Sequence, residues 1–390
     1  MPTTSSQLHL SKIAPVVIQS EIRAMSVECD RIGGINLAQG ICDTELPDVV
    51  AKGAVDAIHN GFNIYTRLDG IEPLREAIAA KLQSYNHLVF DPGSEILVTS
   101  GATGALYASL LALLDPGAEV IVFEPFYGYH VSTLLSLRMR PVIVPLAHPD
   151  WQLDLDALRS ALTPSTRAII VNTPSNPCGK VFGRNELEAI AELAIDRDLF
   201  VFTDEIYEYF LFDGAEHLSL GALPGMRDRT ITISGLSKTF SITGWRVGYL
   251  AASSRWISAI GYFHDLTYIC SPAPLQFGAA LGLRQLAQSD FYTSLASSYE
   301  AKRDQLCAAL TDAGLPPYLP QGAYYVLADA TRVGGANASE RARTLLRETG
   351  VAAVPGSAFF RPGHGDHLLR FCFGKRPADL DRACELLRGL

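Results

Sequence analysis

From about residue 45 onward, short runs rich in valine and isoleucine alternate with longer amphipathic stretches, and no other feature constrains the fold as strongly. Glu72 to Val89 has helical periodicity, Glu95–Thr99 is a strand, Gly104–Leu114 an apolar helix and Glu119–Glu124 a strand. Further strands are expected at Pro141–Pro145, Arg167–Asn172, Leu199–Thr203, Thr230–Ser234 and Val247–Ala251, with helices at Leu155–Leu162, Arg184–Asp198 and Ile257–Phe263. Apolar strands separated by helices suit a mostly parallel sheet covered on both faces. After Pro272 the pattern changes. A helical stretch from Leu275 to Leu310 leads into Ala323–Ala328, a helix near Ser339–Thr349, strands at Ala352–Val354 and Leu368–Phe373, and a closing helix Pro377–Leu390. These runs predict an α/β chain with a large domain over residues 45–285. A smaller α/β domain is expected from residues 1–44 and 286–390 together.

Composition excludes several classes. With 390 residues, 48% hydrophobic and 19% charged, the chain can offset its ordering entropy and is not intrinsically disordered. No apolar run reaches the roughly 18 residues of a membrane span. The start, MPTTSSQLHLSK, lacks the positive and apolar regions of a signal peptide, so a cytoplasmic protein without a membrane partner is expected. Lysine and arginine number 32 against 41 acids, a net charge of -9 with no basic run, which argues against nucleic acid as a partner. The seven cysteines are scattered, with no CxxC pair and no histidine at zinc spacing, so reduced, mostly buried thiols and no metal are expected.

Four segments carry the chemistry. In Ser234–Arg246 (SGLSKTFSITGWR), small residues flank Lys238 directly after a strand. A lysine desolvated there becomes a nucleophile for Schiff-base chemistry, whereas an ordinary lysine is a surface residue. A phosphate loop would need glycines where Ser237 and Thr232 stand. Asn172–Gly179 (NTPSNPCG) is a turn after a strand, with Asn176 presenting an amide. In Thr203–Tyr207 (TDEIY), Asp204 ends an apolar strand, where α/β sheets bind ligands; capping a helix is the competing role. Ser100–Gly104 (SGATG) is a strand-to-helix turn whose free N–H groups suit an anion.

In this order and spacing, SGATG, EPFY, NTPSNPCG, TDEIY, SGLSKTFSITGWR and LLRFCFG resemble the class I/II aminotransferases, the pyridoxal-phosphate enzymes of fold type I. INLAQG and YTRLDGIEPLREAI match as well, nearest the branch of kynurenine, glutamine, methionine and aromatic aminotransferases. The resemblance implies a mostly parallel seven-stranded sheet in the large domain and pyridoxal 5'-phosphate as cofactor. It also implies that Lys238 forms the Schiff base and shuttles the proton, Asp204 pairs with the pyridine nitrogen, and Tyr207 and Asn176 bond the ring's phenolic oxygen. Arg246 would bind the phosphate with Gly101, Ala102 and Thr103, Tyr127 would stack on the ring, and Arg370 and Gly40 would receive the substrate α-carboxylate. A surface salt bridge is the other role for Arg370. Tyr65 matches a tyrosine that reaches the neighbouring subunit's phosphate, which implies a homodimer with shared active sites.

Two positions depart from the family pattern. Gly235 stands where many members carry a phosphate-binding serine, leaving Ser234 or Ser237 to replace it, and Ile41-Cys42-Asp43-Thr44 replaces a segment that closes over the substrate. The resemblance implies amino transfer from an L-amino acid to a 2-oxo acid. No second arginine is evident for a dicarboxylate side chain, so neutral or aromatic donors are favoured. A β-lyase or cyclising reaction is the alternative on the same fold. A non-catalytic sensor fused to DNA-binding helices would need a further N-terminal segment of about 60 residues.

Overall fold

The computed structural model describes residues 8–17 and 21–390. Expectations for the N-terminus that fall on residues 1–7 and 18–20 lie outside the described residues. Strands form where β-branched residues cluster, and seven expected strands build one sheet. In spatial order they are Ile96–Ser100, Val247–Ala251, Thr230–Gly235, Phe200–Asp204, Thr166–Asn172, Glu119–Glu124 and Arg140–Ala147. A two-residue strand, Gln152–Leu153, adds an antiparallel eighth member at the edge. Val247–Ala251 runs antiparallel to both neighbours, while the five strands from Thr230–Gly235 to Arg140–Ala147 are parallel.

Alternation along each strand feeds two cores. Ile121, Ile169 and Val201 pack with Leu187 and Ile190 on one face. Val122, Ile170 and Phe202 pack with Leu106, Leu110 and Ile260 on the other. Each fully buried side chain of this size contributes on the order of 1.5–3 kcal/mol. Asn172 lies opposite Asp204, and Asp204 opposite Ile233, so the polar C-terminal ends of three strands meet at one edge.

A second, antiparallel sheet is formed by Pro317–Tyr318, Tyr325–Asp329, Leu368–Cys372 and Val354–Pro355. The helix Glu21–Ile32 joins its core through Met25 and Cys29, and Ile35–Asn36 pairs with Val351–Ala352. The chain's two ends therefore share one core. All seven cysteines are free thiols, six of them buried. Among the described residues no helix is long and apolar enough to cross a membrane.

Several elements differ from the sequence expectation. The stretch Leu275–Leu310 is two helices, Ala273–Leu286 and Phe291–Asp312. Ser289 and Asp290 divide them: their side chains bond Phe291 and Ser294 locally and compete with continued helix. The first of these helices crosses Asp48–His59 at glycines, since a Cβ on Gly278 would lie 2.5 Å from the Val50 carbonyl oxygen. The helix expected at Gly104 begins at Gly101, so the SGATG turn lies within its first turn. The strand expected at Ala352–Val354 is split into Val351–Ala352 and Val354–Pro355.

Behind the strand end that carries Asp204 lies a buried polar network. Lys81 pairs with Glu208 at 2.5 Å and donates to the Tyr249 hydroxyl at 3.1 Å. Asn86 donates to Glu208, Ser234 donates to Glu208 at 2.8 Å, and Ser219 donates to Glu205 at 2.6 Å. The His217 Nε2 lies 2.8 Å from Glu205. Lys81 compensates the Glu208 charge, and the Glu208 carboxyl is held below its ordinary range mainly by Lys81 and His217 against the opposing effect of burial. Removing one partner strands the other charge in the core, at a cost of about 3–5 kcal/mol. Lys81→Met is therefore expected to lower unfolding free energy by about that amount in urea titrations. A loss below about 1 kcal/mol would contradict the account of the pair.

Candidate active site

The strand ends open into a cavity of about 390 Å³. Its lining brings together Lys238, Asp204, Tyr207, Asn176, Ser237, Arg246, Arg370, Gly40, Tyr127, Ala102 and Thr103. Of the residues expected there, Gly101 and Tyr65 are not part of the lining.

Asp204 ends its strand, and its Oδ2 lies 3.0 Å from the Nε2 of His130. No α-helix follows it, so helix capping is not its role; residues 206–209 form a turn. His130 is buried on the helix Gly128–Ser136 and meets Tyr127 edge-on at 5.2 Å. Asn172 donates its amide to the Asp204 carbonyl at 2.9 Å and accepts from the Asn176 N–H at 2.8 Å. The strand end and the NTPSNPCG turn are thereby locked together.

Lys238 donates to the Gly40 carbonyl at 2.9 Å. Burial pushes its amine below the ordinary lysine value, and Arg246 and Arg370 add to this while Cys42 and Cys372 oppose it. A Cβ on Gly40 would lie 1.9 Å from the Tyr325 hydroxyl, which explains glycine at that position. The Tyr207 and Tyr325 hydroxyls are 3.0 Å apart, and burial raises both phenols.

Arg370 is 1% exposed and has no carboxylate partner among the described residues, so it is not a surface salt bridge. Its Nη1 donates to the Asn176 Oδ1 at 2.9 Å and its Nη2 to the Ala38 carbonyl. The guanidinium lies 4.3 Å from the Tyr325 ring centre and 4.8 Å from that of Phe359, and its Nε has no partner.

Part of the cavity lining forms an anion cradle. Arg246, at φ 57°, follows the turn Thr243–Trp245, and Ala102 and Thr103 open the helix Gly101–Leu113 with free N–H groups. Gly101 has φ +70°, and a Cβ there would lie 2.4 Å from the Arg246 Nη2. Gly101 thus serves the cradle by letting Arg246 approach. Ser237 lines the cavity, whereas Ser234 points to Glu208 behind it. A Cβ at Gly235 would press on the Gly248 Cα at 3.1 Å, so this strand crossing favours glycine.

Tyr65 is 76% exposed in a separate surface hollow with Cys270 and Ser271. Sequence reasoning missed His130, Tyr325, Asn172 and Arg23. His130 stands three residues after Tyr127 at a helix start, a spacing that could have indicated it; no sequence signal marks Tyr325. Arg23 corrects the expectation that no second arginine is available, because the helix Glu21–Ile32 carries it to the cavity.

Residues 32–387 match the family model described as aminotransferase class I and II. The chain belongs to this family of pyridoxal-phosphate-dependent aminotransferases. It is 40% identical over 375 residues to the probable N-succinyldiaminopimelate aminotransferase DapC of Mycobacterium tuberculosis, covering 93% of this chain and 94% of that protein. Kynurenine–oxoglutarate transaminase of Dictyostelium discoideum is 34% identical over 394 residues, with 92% and 91% covered. The solved structure of N-succinyldiaminopimelate aminotransferase from Mycobacterium tuberculosis superposes with a TM-score of 0.94 at 38% identity, covering 98% of this chain and 100% of that one. The family cofactor is pyridoxal 5'-phosphate, and this aminotransferase has a matching donor set: a desolvated amine, a carboxylate 3.0 Å from a buried imidazole, and an anion cradle whose Arg246 a Cβ at Gly101 would displace.

His264 braces that cradle by accepting the Ser100 N–H at 3.1 Å. Burial lowers its pKa to about 4 from 6.5. Between those values the unfolded chain binds the proton and the folded chain does not. The associated stability is complete above pH 6.5 and is lost as pH falls toward 4, up to about 3 kcal/mol. Urea unfolding at pH 7 and pH 4 should show a decline larger by about that amount in wild type than in His264→Gln. Equal declines would contradict this role.

Proposed function

We propose that this aminotransferase moves the amino group of an L-amino acid to a 2-oxo acid. The observation that carries this is the convergence of Lys238, Asp204 and Arg370 on one cavity. When bound, the cofactor supplies an electron sink for the pair left on the substrate Cα. Lys238 Nζ, whose basicity burial lowers, would take the proton from the substrate Cα and hold it for return. Asp204, oriented by His130, would hold the proton on the ring nitrogen. Because the Asn176 Oδ1 is engaged by Arg370, its Nδ2 is left to donate to the phenolic oxygen beside Tyr207. Arg246, Ala102, Thr103 and Ser237 would bind the phosphate, and Tyr127 would cover the ring. Arg370 has five N–H donors and spends two on protein acceptors, which leaves three for the α-carboxylate above Gly40.

The cavity lies between two bodies in this reading, residues 45–285 and residues 1–44 with 286–390. A homodimer completes it. Ile64, Tyr65, Tyr262 and Leu266 are exposed, and a Cβ on Gly261 would lie 2.9 Å from Leu68, so the two segments adjoin as one apolar face. A second copy covering this face would carry Tyr65 toward its partner's phosphate.

Mixing holoenzyme with an L-amino acid alone should convert the cofactor spectrum to its amine form and release one equivalent of 2-oxo acid. Lys238→Ala should slow this by at least roughly 100-fold. Normal turnover by Lys238→Ala would contradict the proposal, and ammonia release without an oxo acid acceptor would favour elimination.

A further inference from the structure

Four cationic side chains line the cavity, Arg23, Lys238, Arg246 and Arg370, against the single carboxylate of Asp204. Three are tied to protein carbonyls or amides: Lys238 to Gly40, Arg246 to Thr243, and Arg370 to Asn176 and Ala38. Arg23 alone of the four has no hydrogen-bond or ion-pair partner among the described residues. The proposed function, on which this inference rests, assigns the phosphate to Arg246 and the α-carboxylate to Arg370. Arg23 is then a surplus cation of the lining, left for whatever extends beyond the substrate Cα.

The mount is firm although the side chain is exposed. Two residues earlier, Glu21 accepts from Ser339 at 2.9 Å and from Ser357 at 3.1 Å. Met25 and Cys29 bury the same helix in the small-sheet core. Ser357 belongs to the turn Gly356–Phe359, whose Phe359 ring lies under the Arg370 guanidinium. One short turn therefore braces both arginines. A guanidinium on a fixed helix, unpaired at the rim of a cavity, suits bidentate capture of a second carboxylate.

We propose that Arg23 is the specificity-determining residue for dicarboxylic substrates and reads the distal carboxylate of a dicarboxylic amino or 2-oxo acid. Neutral or aromatic donors leave it in solvent. The same cavity thereby serves an apolar donor and an acidic acceptor in turn.

Calorimetric titration of the holoenzyme with the unreactive acids succinate and glutarate, against butyrate and pentanoate, tests this without turnover. Wild type is expected to bind the better diacid about 10-fold or more tightly than its matched monoacid, as a bidentate charge-assisted pair gives. Arg23→Gln should abolish that preference while leaving monoacid affinity within about twofold, which also reports an intact fold, and Arg23→Lys should retain part of it. Equal wild-type affinity for diacid and monoacid, or a preference unchanged in Arg23→Gln, would overturn the inference. Arg370→Lys should weaken all four acids alike. If it weakens none, the assignment of the α-carboxylate fails, whatever Arg23 does.

Discussion

The buried guanidinium of Arg370 is the interaction on which the arrangement of the site depends. An arginine at 1% exposure is costly to keep in a protein interior, and among the described residues no carboxylate pairs with it. It is held instead by two neutral acceptors and two aromatic rings, each from a different part of the chain: Asn176 from the turn after a strand of the large sheet, Ala38 from the N-terminal segment, and Tyr325 and Phe359 from the small-sheet region. One charge thus ties both sheets and the N-terminal segment to one point. Its Nε has no partner among the described residues.

The same logic runs in reverse behind the site. Glu205 and Glu208 are buried next to Asp204, but Lys81, Asn86, Ser219 and Ser234 compensate them, so the back of the strand end is largely closed and its front is left reactive. Within the cavity positive charge dominates although the chain carries a net charge of -9. The acidic total therefore belongs to the surface, and the local sign is set by four cations converging from distant positions in the sequence.

Much of this was legible in the residues. The α/β class and the large-sheet strands follow from Val/Ile runs whose period is local, and Lys238, Asp204, Asn176 and Arg370 sit in short motifs. Gly101 was identified, but its role is indirect: it makes room for Arg246 rather than lining the cavity. What stayed hidden is tertiary. His130, Tyr325 and Arg23 lie in ordinary-looking helices and strands, and only the packing brings them to the cavity. The break between Leu286 and Phe291 was missed because Ser289 and Asp290 act through side-chain bonds that apolar periodicity does not register.

The proposed chemistry requires that a single amine, Lys238, holds the cofactor at the meeting point of Asp204, Arg246 and Arg370. Borohydride reduction of the holoprotein, followed by digestion and peptide mass spectrometry, tests this directly because it fixes the cofactor to the amine that carries it. One pyridoxyl group per chain on Lys238 is the predicted result. Label on another lysine, or none at all from cofactor-saturated protein, would contradict it.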